Sequence, residues 1–326
     1  MVLFVLRCFE IHAAGSHCFA AGNCKKEGVT IMKEYVIFGD STCDLNKALR
    51  EQYNIDYVAM NYVVDDQEYV ASLDWESHPV HDFYNLMRNG KRVFTTQVPK
   101  QNYIDAFTAA IEAGKDVLYI SCSSALSGSI GTALVVAKEL TEKYPDAKIC
   151  CVDALNSSLG QGQMLIMASQ CRAEGQSVEQ TAAYIESIRL KVSQHATVDS
   201  MEYLRRAGRI KASKAFFGNL FGIKPIIISD IKGQNYAYKK VKGAANARAA
   251  IAQSVVEAAD GVYETLYISH ADDEEAANLL KDEILALAPF KNVVFGYIGP
   301  IVGASVGPGT VSAYIFGKEV TIEGKE

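Results

Sequence analysis

The residues best suited to chemistry crowd into one stretch, Val117–Thr132, which reads VLYISCSSALSGSIGT. Val117, Leu118, Tyr119 and Ile120 read as a strand buried on both faces. Ser121, Ser123, Ser124, Ser127 and Ser129 follow at once with Gly128 and Gly131, and an apolar run from Ala133 enters a helix. Hydroxyls and free backbone N–H groups at a strand-to-helix junction hold an anionic head group without any charged side chain. N-capping is the plainer explanation, but it needs one serine. The surplus points to a binding loop.

Two other junctions repeat the layout. Ser41 and Thr42 follow the apolar run Tyr35–Phe38, and Asn156-Ser157-Ser158 follows Lys148–Asp153. Thr95 and Thr96 add a hydroxyl pair just before Pro99. In a parallel α/β sheet such junctions share one edge, where ligands bind. Ser41, Thr42, Thr95, Thr96, Ser123, Ser124, Ser127, Gly128, Ser157 and Ser158 are therefore expected around one pocket.

Hydroxyls without a base hold better than they react, and no His, Lys or carboxylate pair stands beside these serines to activate one. Gly303-Ala304-Ser305-Val306-Gly307 formally matches G-x-S-x-G, but a hydrolase of that type needs its histidine after the serine, and the last histidine here is His270. No Walker A and no G-x-G-x-x-G after a strand occur. The run Arg205–Lys214, which carries Arg206 and Arg209, reads either as a solvated helix face or as an anion- or partner-docking patch. His270, at the end of the strand Leu266–Ser269, either reaches the pocket or serves a buried or capping role.

The elements that must position these residues divide in two. Strands alternate with helices up to about residue 190, which predicts an N-terminal three-layer α/β/α domain on a parallel sheet over 32–190. The hairpin Ile223–Ser229, Lys232-Gly233-Gln234, Tyr236–Val241 predicts a C-terminal α/β domain with a mixed or antiparallel sheet over 191–326. Residues 1–31 read as an extension or a mis-assigned start ahead of Met32. The net charge of -6 argues against a nucleic-acid binder, and no apolar run is long enough for stable membrane insertion. With no C-x-x-C pair, the eight cysteines do not read as a disulfide framework; Cys122, Cys150 and Cys151 read as small core residues, the setting as a reducing cytoplasm, and no metal is expected.

Taken together the motifs resemble the DegV family. Asp-Ser-Thr-Cys-Asp-Leu at 40–45, Phe94-Thr95-Thr96-Gln97-Val98-Pro99, Ser123-Ser124-Ala125-Leu126-Ser127-Gly128 and the segment Ser200–Ile210 are similar to that family's conserved stretches, as are Lys224-Pro225-Ile226 and Ile298-Gly299-Pro300. The resemblance runs from about Met32 to Phe316. It implies a two-domain, non-enzymatic fatty-acid-binding protein with no cofactor, a long-chain acid in a tunnel between the domains, and a separate ATP-dependent fatty acid kinase as partner. By motif position Thr95 and the Ser123/Ser124 pair would take the carboxylate, with Arg206 or Arg209 near the head group or the kinase. The chain departs from the family at Ser305, where many members carry a histidine, and at Thr96 and Val98-Pro99-Lys100. The alternative is an acyl- or phosphoryl-transferring enzyme or hydrolase that uses a pocket serine.

Overall fold

The computed structural model describes residues 33–212, 216 and 222–325. The proposed extension 1–31 and Lys214 of the basic run lie outside them. In chain order the first elements are β1 (Tyr35–Asp40), α1 (Lys47–Tyr53), β2 (Ile55–Val58), β3 (Asn61–Val64), β4 (Gln67–Val70), α2 (Val80–Arg88) and β5 (Val93–Thr96). Then come α3 (Lys100–Glu112), β6 (Asp116–Ser121), α4 (Ser129–Lys143), β7 (Ile149–Asp153), α5 (Leu159–Ala173), α6 (Val178–Ile188) and β8 (Val192–Thr197). The rest are α7 (Met201–Ala207), β9 (Ile223–Ser229), β10 (Asn235–Lys242), α8 (Ala244–Ala259), β11 (Thr265–His270), α9 (Glu274–Leu287), β12 (Asn292–Tyr297), α10 (Pro300–Val306) and β13 (Val311–Phe316).

The first sheet is parallel, in the order β2-β1-β6-β7. β6 is buried along its whole length and alternates between two cores. Val117 and Tyr119 face α3 and α4, whereas Leu118 and Ile120 face α5 and α6. That period of two explains the continuous apolar run, because a parallel strand has no solvent face. The chain leaves β1 for β2 on one side and returns to β6 on the other, so the order reverses between β1 and β6. A crevice opens at such a reversal, beyond the C-terminal strand ends.

The second sheet has the order β10-β9-β8-β13-β11-β12 and is mixed, with only β11 and β12 parallel. α8 and α9 cover one of its faces with Ile251, Val255, Leu280 and Ile284. The fold is thus an α/β protein of two sheet domains, one parallel and one mixed. α5 packs against strands of both sheets and is buried nearly all round, as a helix without a solvent face must be.

The local reading needs correction at several points. The apolar run Tyr57–Val63, which would read as one strand, is broken at Ala59–Met60, so that β2 joins the parallel sheet and β3 leaves it. β3 pairs with β4 and β5 in a small antiparallel sheet. Its hairpin turns on Asp65 and Asp66, both at positive φ, the pattern of a tight primed turn. The helical pattern that begins at Val178 does not run on to Val192: α6 ends at Ile188, and a short turn over Arg189–Lys191 leads into β8. The G-x-S-x-G match lies on α10, with Ser305 in its last turn, rather than on a strand-to-helix elbow.

α5 approaches the loop after β1 so closely that a Cβ on Gly162 would stand 2.6 Å from the Cys43 carbonyl oxygen. Gly162→Ala should therefore destabilise the protein. The clash costs about 1–3 kcal/mol and outweighs the gain of about 0.5–1 kcal/mol from helix propensity. A lower urea midpoint with unchanged slope checks this; a higher midpoint would place α5 farther from the loop.

Candidate functional site

The crevice between β1 and β6 is floored by the carboxylate of Asp40, which is fully buried at the end of β1. Its Oδ1 accepts from Thr42 N–H at 3.0 Å, and its Oδ2 accepts from Tyr119 OH at 2.9 Å and Cys122 N–H at 3.1 Å. Thr42 Oγ1 lies 2.5 Å from Asp40 Oδ1 and 2.6 Å from Gln161 Oε1, and its single proton serves one of the two. A buried carboxylate is tolerated only when hydrogen-bonded in this way. The result is that the loops after β1 and β6 are tied to one point.

Above this floor is a cavity of about 260 Å³. Of the residues expected from the sequence, Thr42, Thr95, Thr96, Ser127, Gly128, Ser157, Arg209 and Ser305 line it. Thr95 is carried by β5, opposite Tyr62 of β3. Ser127 and Gly128 precede α4, and Ser127 Oγ lies 2.9 Å from Ser129 Oγ. Gly128 stands where a Cβ would meet Gln97 Oε1 at 2.7 Å. Among the described residues its N–H has no acceptor, nor does the Thr95 hydroxyl have a partner. Arg209 arrives from beyond α7, and its Nε donates to the Leu126 carbonyl at 3.0 Å. Open hydroxyls, a free N–H at the head of a 15-residue helix and one guanidinium are groups that can hold an anion. The other walls are apolar: Met60, Cys122, Leu126, Ile301, Val302 and Val306. Burial pushes the Cys122 thiol well above its ordinary pKa, so it serves as a small apolar group.

The remaining candidates are placed elsewhere. Ser41 Oγ accepts from Met60 N–H beneath the cavity, and Ser123 Oγ caps the N–H of Ala125. Ser124 is exposed, with its N–H donated to Asp153. Ser158 donates to Asp44. Arg206 is exposed, paired with Glu202 and lying over the Tyr203 ring. It lines an adjoining groove of about 240 Å³ with Lys91 and Arg92, and this groove shares Thr95, Arg209 and Ser305 with the cavity. His270 belongs to a separate cavity beside Trp75 and Tyr297, and its Nδ1 accepts from Asp273 N–H. Burial lowers its pKa.

Reading the hydroxyl clusters missed Gln97, Asn235 and the aliphatic walls supplied by α10. Gln97 stands inside the quoted Thr-Thr-Gln segment, so its position was visible. Asn235 carries no local signal, since it reaches the cavity only because β10 returns beside β9.

Residues 34–318 match the DegV family model. The chain belongs to the DegV family. A DegV domain-containing protein of Clostridium perfringens is 34% identical over 287 residues, 88% of this chain and 98% of that one. One of Streptococcus pyogenes is 29% identical, over 87% of this chain and 98% of its own. Among solved structures, a DegV family protein of Thermus thermophilus described by its fatty acid binding superposes with a TM-score of 0.80 at 27% identity, covering 87% of this chain and 100% of that one. The DegV protein of Bacillus subtilis superposes with a TM-score of 0.75 at 24% identity, over 88% and 100% of the two chains. These matches agree with the two-domain α/β fold.

Two buried groups outside the cavity wall titrate with opposite signs. Burial raises Asp44 from 3.8 to about 7, although Ser158 Oγ and Gly299 N–H both donate to it. Burial lowers His195 from 6.5 to about 4. The raised acid contributes stability that is present below pH about 4 and lost as pH rises to about 7. The lowered histidine contributes stability that is present above pH 6.5 and lost as pH falls to about 4. Between pH 4 and 6.5 the two oppose each other. Asp44→Asn removes one of them, and Ser158 is able to accept from the new amide. The stability of the variant relative to the natural chain should therefore grow as pH rises from 4 to 7. Urea unfolding at a series of pH values measures that difference, and a constant difference would mean that Asp44 ionises normally.

Proposed function

We propose that this protein is a non-catalytic carrier that binds one long-chain fatty acid. The observation that carries the reading is the cavity itself, with an anion-holding rim of Thr95, Ser127, Gly128 N–H and Arg209 above aliphatic walls from Leu126, Ile301, Val302 and Val306. A carboxylate accepts from such a rim, and each buried CH₂ of a tail adds about 0.8 kcal/mol. The fatty acid binding ascribed to the Thermus thermophilus relative supports the assignment. Carriage is favoured over catalysis because the cavity wall is built of hydroxyls, amides, one guanidinium and apolar groups, none of them a general base near neutral pH.

The groove with Lys91, Arg92 and Arg206 opens beside the carboxylate end. That placement supports presentation of the bound acid to a separate ATP-dependent kinase that makes the acyl phosphate. With Ser305 rather than a titrating ring at the rim, the proton and phosphate chemistry falls to that partner. The unpaired thiols of Cys43, Cys122, Cys150, Cys151 and Cys171 support a reducing, cytoplasmic setting. No helix among the described residues is long and apolar enough to cross a membrane.

Native mass spectrometry of the protein purified from a bacterial host should show an added mass of a few hundred daltons that leaves on denaturation as a fatty acid. Thr95→Val combined with Ser127→Ala should weaken palmitate or oleate binding about tenfold or more, since hydrogen bonds to a charged group contribute about 1.5–3 kcal/mol each. An apo mass together with failure to bind either acid would overturn the carrier reading.

A further inference from the structure

The narrow end of the cavity is walled mostly by Ala196, Val198, Leu204, Ile227 and Ile298, yet polar groups are set among them. This end is a small extension of about 30 Å³ that shares Ser157, Asn235, Val302 and Val306 with the main cavity. Ser157 is 7% exposed and Gln194, on the wall of the extension, is 6% exposed. Among the described residues the Ser157 hydroxyl has no hydrogen-bond partner. The orientation of Gln194 follows from its neighbours. Asn235 Nδ2 donates to the Arg209 carbonyl at 3.1 Å, so Asn235 Oδ1 faces Gln194 and accepts from its Nε2 at 3.0 Å. Gln194 Oε1 is left as an acceptor without a donor, facing the extension. Tyr314 also lines the extension, but its O–H is already donated to Ser312 Oγ at 3.2 Å.

A plain alkyl tail entering here would bury an unsatisfied amide oxygen and an unsatisfied hydroxyl, which is unfavourable by a factor of about ten or more in affinity. We propose that the narrow end of the cavity selects an acyl chain bearing a hydroxyl group, which donates to Gln194 Oε1 and accepts from Ser157. The inference rests on the fatty-acid reading and sharpens its ligand class to hydroxy fatty acids. A ketone at the same carbon offers no proton to Gln194 and satisfies only Ser157. The competing occupant is a single ordered water, for which the extension has room.

The test is a competition series on the unaltered chain, with stearate, positional isomers of hydroxystearate and the matching oxostearates displacing a fluorescent fatty acid. At least one hydroxystearate should bind about tenfold tighter than stearate, and its oxo counterpart should not. In Gln194→Leu the ratio of hydroxystearate to stearate affinity should fall toward one. The comparison of hydroxy with oxo acids on the natural chain remains decisive if that variant does not fold. Stearate binding as tightly as every hydroxystearate would overturn the proposal, leave the carrier reading intact and assign the extension to water. An oxostearate matching its hydroxy isomer would overturn the role of Gln194. Failure of stearate and all its derivatives to bind would bring down the carrier reading as well.

Discussion

The site depends on a buried carboxylate, that of Asp40, which is not itself part of the cavity wall. Asp40 gathers the loop after β1 through Thr42, and the strand and loop of β6 through Tyr119 and Cys122. Tyr119 OH lies 2.9 Å from Tyr103 OH, and Tyr103 OH in turn reaches the Ser129 carbonyl at the head of α4. A single charge thus orders both loops and the helix start that form the rim. The cost of burying it is offset by its donors, so the loops have little freedom to relax.

Placing that charge below the cavity shapes the electrostatics above it. The rim offers an anion hydroxyls, an N–H at the head of α4 and the Arg209 guanidinium, while further cations stand in the adjoining groove, on Lys91, Arg92 and Arg206. Neutral donors hold a carboxylate without the desolvation cost of a buried ion pair. The mouth attracts anions in a chain whose net charge is -6.

The two sheets are joined by polar contacts as well as by α5. Asp44 accepts from Ser158 and from Gly299 N–H, and Ser158 Oγ continues to Ser269 and Ser312 of the mixed sheet. Tyr84 OH donates to the Ile298 carbonyl, and Arg88 pairs with Asp272. α10, which supplies the aliphatic wall, is thereby held between the halves, with Gly303 leaving room for the Tyr84 hydroxyl.

Much of this was legible in the sequence, for a local reason. Alternation of apolar runs with hydroxyl loops and helices depends on residues a few positions apart, so β1, β6 and β7, the junction loops and the change to a hairpin-built second sheet could be read directly. The DegV motifs identified the family for the same reason, since each is a contiguous string. Facing is a different matter. Ser123 and Ser127 stand four positions apart in one loop, yet Ser123 turns inward to cap Ala125 while Ser127 opens to the cavity. The break between β2 and β3 follows from competition between two sheets for the same stretch, and the aliphatic wall comes from α10, some 170 residues beyond the serine loop, a separation that no local pattern spans. Composition and spacing determined which groups were available to hold an anion; which of them face the cavity, and that Ser157 and Gln194 meet at its narrow end, was decided by how β5, β8, β10 and α10 close around it.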